Sequence, residues 1–134
     1  LLDAISNDVP VLGICLGLQL FFPRSEEGEG NGLSLYQGKT VWLPDSVKVP
    51  HMGWNEVNYR RACPLFDGIA DGSQWYFVHS YYVEPGDSSI VIGATDYGVR
   101  FPAVIGRGNV VATQCHPEKS HNWGIQLLKN FAGL

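Results

Sequence analysis

The spacing of apolar positions changes several times along the chain, and each change marks an element. Residues 9–14, VPVLGI, are a short apolar run with β-branched side chains, bounded by Pro10 and Gly13, and predict a buried strand. Residues 16–22, LGLQLFF, predict a helix that stops near Pro23, where the proline ring and missing N–H end the ladder. The polar, glycine-rich residues 24–32, RSEEGEGNG, predict a loop. Further strands are expected at residues 40–43, 54–58, 75–83, 90–95 and 110–114. In residues 122–131 the apolar Trp123, Leu127, Leu128 and Phe131 recur at helical spacing and predict a closing helix. Residues 1–8, LLDAISND, have helix-like spacing with no N-cap before them and read as the tail of a longer element. Repeats, linkers and low-complexity segments are absent, so residues 1–134 are expected to form a single α/β domain.

Composition narrows the function class. A chain of 134 residues that is 45% hydrophobic and 16% charged has the balance of one globular domain. Nine Lys and Arg against thirteen Asp and Glu leave a formal charge of -4, so the broad basic surface that nucleic acid requires is lacking. The longest apolar run is too short for a bilayer, and no signal-peptide pattern opens the sequence, so a cytoplasmic location without membrane contact is expected. Cys15, Cys63 and Cys115 are odd in number and form no CxxC, which argues against a disulfide framework or a zinc knuckle. Neither a metal nor a cofactor is expected.

The chemistry concentrates at Gly13-Ile14-Cys15-Leu16-Gly17, between the first predicted strand and the helix. A nucleophile on so sharp a turn is forced into an unfavourable backbone conformation, and glycines two residues either side remove side chains that would collide. At the start of a helix the sulfur faces unpaired N–H groups, which favours thiolate, and the N–H of Leu16 points toward an oxyanion formed on attack. The alternative is a buried cysteine acting as a small hydrophobe, with glycines that only permit packing. A base is available in VVATQCHPEKS, where His116 and Glu118 stand two residues apart. In an extended segment such residues face the same way, so Glu118 can hold one imidazole nitrogen while the other faces Cys15. Read by itself, the same segment is also compatible with a surface His-Pro-Glu turn.

Gly13 to Gln19, GICLGLQ, and the HPE of His116 to Glu118 resemble the motifs of class I (triad-type) glutamine amidotransferases. The segments VPHMGWN (residues 49–55), YFVHSYYV (residues 76–83) and RSEEG (residues 24–28) resemble, within that family, the glutaminase subunits of imidazole glycerol phosphate synthases. The resemblance covers nearly the whole chain. It implies a flavodoxin-like fold, a mixed or parallel sheet with flanking helices. It also implies a Cys15, His116, Glu118 triad that hydrolyses L-glutamine through a thioester, with Leu16 as oxyanion donor. Gln19, Glu27 and the backbone around His79, Ser80 and Tyr81 would hold the substrate; a carboxylate suits its ammonium, although Glu27 also reads as a solvated charge and His79 as a core histidine. His51, Met52, Trp54 and Lys119 would face a (β/α)8-barrel cyclase subunit in a heterodimer that uses the ammonia in histidine biosynthesis; Met52 and Trp54 also read as ordinary core.

Cys115 and Pro23 depart from the family pattern without removing a catalytic group. Members of the family also carry, before the helix at which this sequence starts, a segment with the first strands of the sheet and a second oxyanion donor. A chain without it is expected to expose one edge of the strand at residues 9–14, to self-associate or recruit a complementing fragment there, and to be a poor enzyme on its own. The other readings of the sequence are a glutaminase serving a different synthase, and a non-catalytic remnant.

Overall fold

The computed structural model describes every residue from Leu1 to Leu134 except Glu27 and Glu29. Among the described residues the chain forms helices α1 (Leu2–Ser6), α2 (Leu16–Leu20) and α3 (His121–Ala132), and strands arranged in three sheets. The largest sheet carries β1 (Val11–Ile14), β10 (Val110–Thr113), β9 (Arg100–Arg107), β8 (Val91–Asp96) and β5 (Asn58–Tyr59), in that spatial order. β1 runs parallel to β10, with Val11 opposite Val110 and Ile14 opposite Thr113, whereas the pairs β10–β9, β9–β8 and β8–β5 are antiparallel. A second sheet joins β2 (Arg24–Ser25), β3 (Gly38–Trp42) and β7 (Tyr81–Pro85), and a third pairs β4 (His51–Glu56) with β6 (Gln74–His79).

The central sheet is covered on both faces, and its strands are accordingly apolar at successive positions rather than alternate ones. β10 makes this visible: Val110 and Ala112 pack with Leu18, Phe21 and Phe22 around α2, while Val111 between them packs with Trp75, Phe77, Phe101 and Leu127 of α3 on the other face. The two helices expected from sequence therefore lie on opposite sides of the strand pair that ends in Ile14 and Thr113. Among the described residues no helix is long and apolar enough to cross a membrane.

Four elements differ from the sequence reading. The strand expected over residues 54–58 is divided between β4 and β5, which lie in different sheets, and Arg24–Ser25, expected in a loop, forms β2. The single strand expected over residues 75–83 is two strands that break at Ser80. The Ser80 carbonyl accepts from the Leu43 N–H at 2.9 Å, and the chain passes there from pairing with β4 to pairing with β3. β9 is absent from the sequence reading altogether, because Pro102 within a run argues against an inner strand. The structure accommodates it with a register shift: Gly93 pairs with Val104 but Ala94 pairs with Pro102, so the proline falls at an irregularity of the ladder.

Candidate active site

Cys15 follows β1 and is the N-cap of α2, with φ 54° and ψ -101°. Positive φ in a residue with a side chain costs on the order of 1–3 kcal/mol and persists only where surrounding structure imposes it. Here the Cys15 N–H is bound to the Thr113 carbonyl at 2.7 Å, and its own carbonyl accepts from Leu18 and Gln19. The turn is thereby fixed on both sides. Gly13 is required by space, since a Cβ there would lie 2.9 Å from both the Gly17 backbone and the Phe21 ring. Gly17 corrects the sequence reading: a Cβ at that position meets no atom within 4 Å, so no collision demands glycine there. Leu16 is the first residue of α2, and its N–H has no carbonyl one turn earlier in the helix to bond.

β10 leads from the other side into Gln114, Cys115 and His116. The His116 N–H donates to the Tyr76 carbonyl at 2.9 Å, and the Cys15 thiol donates to the Val78 carbonyl at 3.8 Å. Both groups therefore sit against β6 two residues apart, about 7 Å along a strand. His116 Nδ1 is 3.0 Å from Glu118 Oε2, and Nε2 is buried with no hydrogen-bond partner among the described residues. The Pro117–Lys119 turn that holds Glu118 is fixed by Ser120, whose hydroxyl donates to the His116 carbonyl at 2.6 Å and accepts from the Tyr76 N–H at 3.0 Å. α3 presses on the same turn through Gly124, where a Cβ would fall 1.9 Å from the Pro117 oxygen. Ser120 and Gly124 escaped the sequence reading, because neither belongs to a recognisable spacing.

A cavity of about 290 Å³ opens beside the sulfur and is lined by Cys15, Leu16, Gln19, Trp42, Val78, His79, Ser80 and Tyr81. The structure thus gathers the nucleophile, the expected oxyanion donor and all of the predicted substrate residues except Glu27 around one space. Glu27 lies outside the described residues. Leu16 and Gln19 also border a second cavity of about 240 Å³, formed with Arg24, Ser25 and the glycines 28, 30 and 32. Trp42 was not expected at the site. Its ring stands edge-on to Tyr81 at 5.0 Å, and its backbone N–H donates to Glu26 Oε1 at 2.6 Å, which ties Glu26 to β3.

The four residues expected at a partner surface separate into two groups. On β4, alternation puts Met52 and Trp54 outside, 62% and 44% exposed, and His51 inside at 3%. His51 is therefore corrected from an interface residue to a core residue: it stacks between Phe77 and Tyr97, and its Nδ1 is 2.9 Å from His79 Nε2. Trp54 stacks on His121 at 4.5 Å, and Lys119 Nζ stands over the Tyr76 ring, so these residues form one exposed aromatic and basic patch beside the His116 turn.

The buried imidazoles have a defined arrangement. Asn55 Nδ2 donates to His51 Nε2 at 3.2 Å, which leaves the proton of His51 on Nδ1, donated to His79 Nε2; His79 Nδ1 then donates to the Tyr81 carbonyl at 2.8 Å. Burial holds both rings down to about 4, and for His79 the nearby His51 and His116 add to the effect while the Tyr81 carbonyl opposes it. A base with a folded value below its unfolded value of about 6.5 binds fewer protons when folded. Stability from this pair is therefore complete above about pH 6.5 and declines as the pH falls toward 4. Urea midpoints measured between pH 7 and 5 should decrease, and His51→Phe, which removes one of the two groups, should show a shallower decrease; identical slopes would contradict the buried neutral pair.

Among the described residues no group of three or more His, Cys, Asp or Glu is placed to hold a metal ion. The profile of the family described as "Glutamine amidotransferase class-I" matches residues 1–133. The chain is 51% identical over 129 residues to the imidazole glycerol phosphate synthase subunit HisH of Chromobacterium violaceum, covering 91% of this chain and 61% of that one. It is 53% identical over 133 residues to the protein of the same name from Moorella thermoacetica, covering 98% and 63%. The chain thus spans a little over three fifths of the length of these curated relatives. Among solved structures, it matches a glutamine amidotransferase from Thermotoga maritima with a TM-score of 0.67 at 16% identity, over 98% of this chain and 48% of that one. A putative GMP synthase subunit from Thermoplasma acidophilum matches with a TM-score of 0.68 at 20% identity, over 98% and 60%. The fold expected from the motifs is the fold of these neighbours, and the chain belongs to the class-I glutamine amidotransferase family.

Proposed function

We propose that this protein is the glutaminase subunit of an imidazole glycerol phosphate synthase and supplies ammonia to a cyclase subunit in histidine biosynthesis. The observation that carries the reading is the strained Cys15 at the mouth of the cavity formed with Gln19 and residues 79–81, with His116, paired to Glu118, held against the same strand β6. The names of the relatives, at about half identity, support the choice of synthase.

In this reading Cys15 Sγ attacks the side-chain carbonyl carbon of glutamine while its proton passes to His116 Nε2. The oxyanion receives the Leu16 N–H, and Glu118 keeps the proton of His116 on Nδ1 and stabilises the imidazolium. His116 returns the proton to the leaving nitrogen, the C–N bond breaks, and ammonia departs from a glutamyl thioester. Water, deprotonated by His116, then cleaves the thioester to glutamate and thiol. Gln19, Glu27 and the backbone of His79, Ser80 and Tyr81 hold the amino-acid end of the substrate. These residues belong to one domain spanning residues 1–134. Met52, Trp54 and Lys119 face the cyclase, a (β/α)8 barrel.

Ammonia release from glutamine, measured with and without the barrel partner and its own ligand, tests the assignment. The rate should rise on complex formation, and Lys119→Ala should reduce that rise by no more than about fivefold, since an exposed ion pair contributes about 0.2–1 kcal/mol. A rate that does not respond to the barrel would direct the search to another synthase, and no ammonia from the active complex would overturn the reading.

A further inference from the structure

Gln114 is a residue near the sulfur whose presence the mechanism above leaves unexplained. It follows β10 directly, is fully buried, and is anchored by its N–H on the Ala103 carbonyl at 2.8 Å. Its side-chain Nε2 lies 3.7 Å from Cys15 Sγ, and its Oε1 is buried with no hydrogen-bond partner among the described residues. A buried amide oxygen without a donor is unfavourable, and an apolar side chain of similar volume would avoid it. Turning the amide over would be worse for an ionised sulfur, because it would set oxygen against sulfur. The side chain therefore accepts one unmatched group in order to aim an N–H at the nucleophile.

Two contacts of Cys15 Sγ discriminate its protonation states. The Val78 carbonyl at 3.8 Å attracts S–H and repels a thiolate, whereas the Gln114 N–H attracts the thiolate. We propose that Gln114 is a catalytic residue that donates its Nε2–H to Cys15 Sγ and stabilises the thiolate formed when the thiol proton leaves for His116. The proton accounting rests on the glutaminase reading given above. The effect on the sulfur itself does not, because any electrophile can report it.

The test uses the full chain in complex with its barrel partner. It measures iodoacetamide alkylation of Cys15 against pH by peptide mass mapping, together with Tm and ammonia release. Gln114→Leu and Gln114→Met both remove the donor and keep the volume, and the unbranched Met variant serves if Leu disturbs folding. A hydrogen bond to a charged group of this kind corresponds to about one pH unit. The midpoint of alkylation should move up by about that much, and the rate near neutral pH should fall about tenfold, while Tm stays level or rises. A folded variant with an unchanged midpoint overturns the proposal, as does a lowered Tm with no change of midpoint, which marks a purely structural amide. A shifted midpoint in a protein that releases no ammonia would uphold the role of Gln114 at the sulfur and overturn the glutaminase reading alone; an unshifted midpoint in an active enzyme would do the reverse.

Discussion

Cys15→Ala should abolish ammonia release from glutamine and leave the fold unchanged, and Cys15→Gly should abolish it while raising Tm. Chemistry and stability separate at this one position. No other thiol can replace the sulfur: Cys115 is buried and pushed up to about 12 by burial, and Cys63 sits beside the Pro64–Phe66 turn, outside the cavity. Alanine inherits the φ of 54° and its strain, whereas glycine adopts such a conformation freely. Relief of about 1–3 kcal/mol, less the greater unfolded-state entropy of glycine, leaves a net gain on the order of 1 kcal/mol. A Cys15→Gly variant that is both inactive and more stable would show that the strain serves the nucleophile. One that is less stable than wild type would mean that the backbone is comfortable there and the turn has another cause.

Removing His116 should be the other large effect, and removing Glu118 a much smaller one. General acid–base catalysis by a positioned side chain contributes about 10²–10⁴-fold, so His116→Ala should lose that much in kcat with a smaller change in KM, because the proposed substrate-holding groups are other residues. Glu118 holds His116 Nδ1 through one hydrogen bond at 3.0 Å, but its own side chain is 47% exposed. Solvent screens such a contact, and Glu118→Gln retains an oxygen that can accept the same proton. A loss below about tenfold is expected for that variant. Equal losses for the two variants would place the carboxylate at the centre of the chemistry and require a different account of how His116 is oriented.

The parts of this molecule legible in its sequence are those with local causes. The elbow around Cys15 announces itself because a sharp turn between an apolar run and a helix constrains neighbouring residue types, and α3 because its apolar spacing repeats. The pairing of His116 with Glu118 is present, but its expected cause is corrected: residues 117–119 are a 3-10 turn rather than an extended segment, and the turn brings the carboxylate back to the imidazole. What stays hidden depends on which strands meet. β9 is concealed by Pro102, whose missing donor is absorbed by a register shift against β8 that only the partner strand can provide. The break at Ser80 requires Leu43 from outside its own strand pair. Trp42 meets Tyr81 from a different strand, and the contacts of Ser120 with Tyr76 and of Gln114 with Cys15 span 44 and 99 residues of sequence. His51 is misplaced in the sequence reading because the aromatic and apolar character of its segment suits either face of a strand. Only the observed alternation, with Met52 and Trp54 outward, decides that the imidazole faces His79.

The proposed role of Cys15 as the group that attacks glutamine is tested most directly by treating the protein, in the proposed complex with a cyclase, with a glutamine-like electrophile and locating the adduct by peptide mass mapping. The expected result is an adduct on Cys15, formed ahead of any on Cys63 or Cys115, slowed by added glutamine, and greatly slowed in His116→Ala. Equal modification of Cys15 and Cys63, with no protection by glutamine, would contradict it.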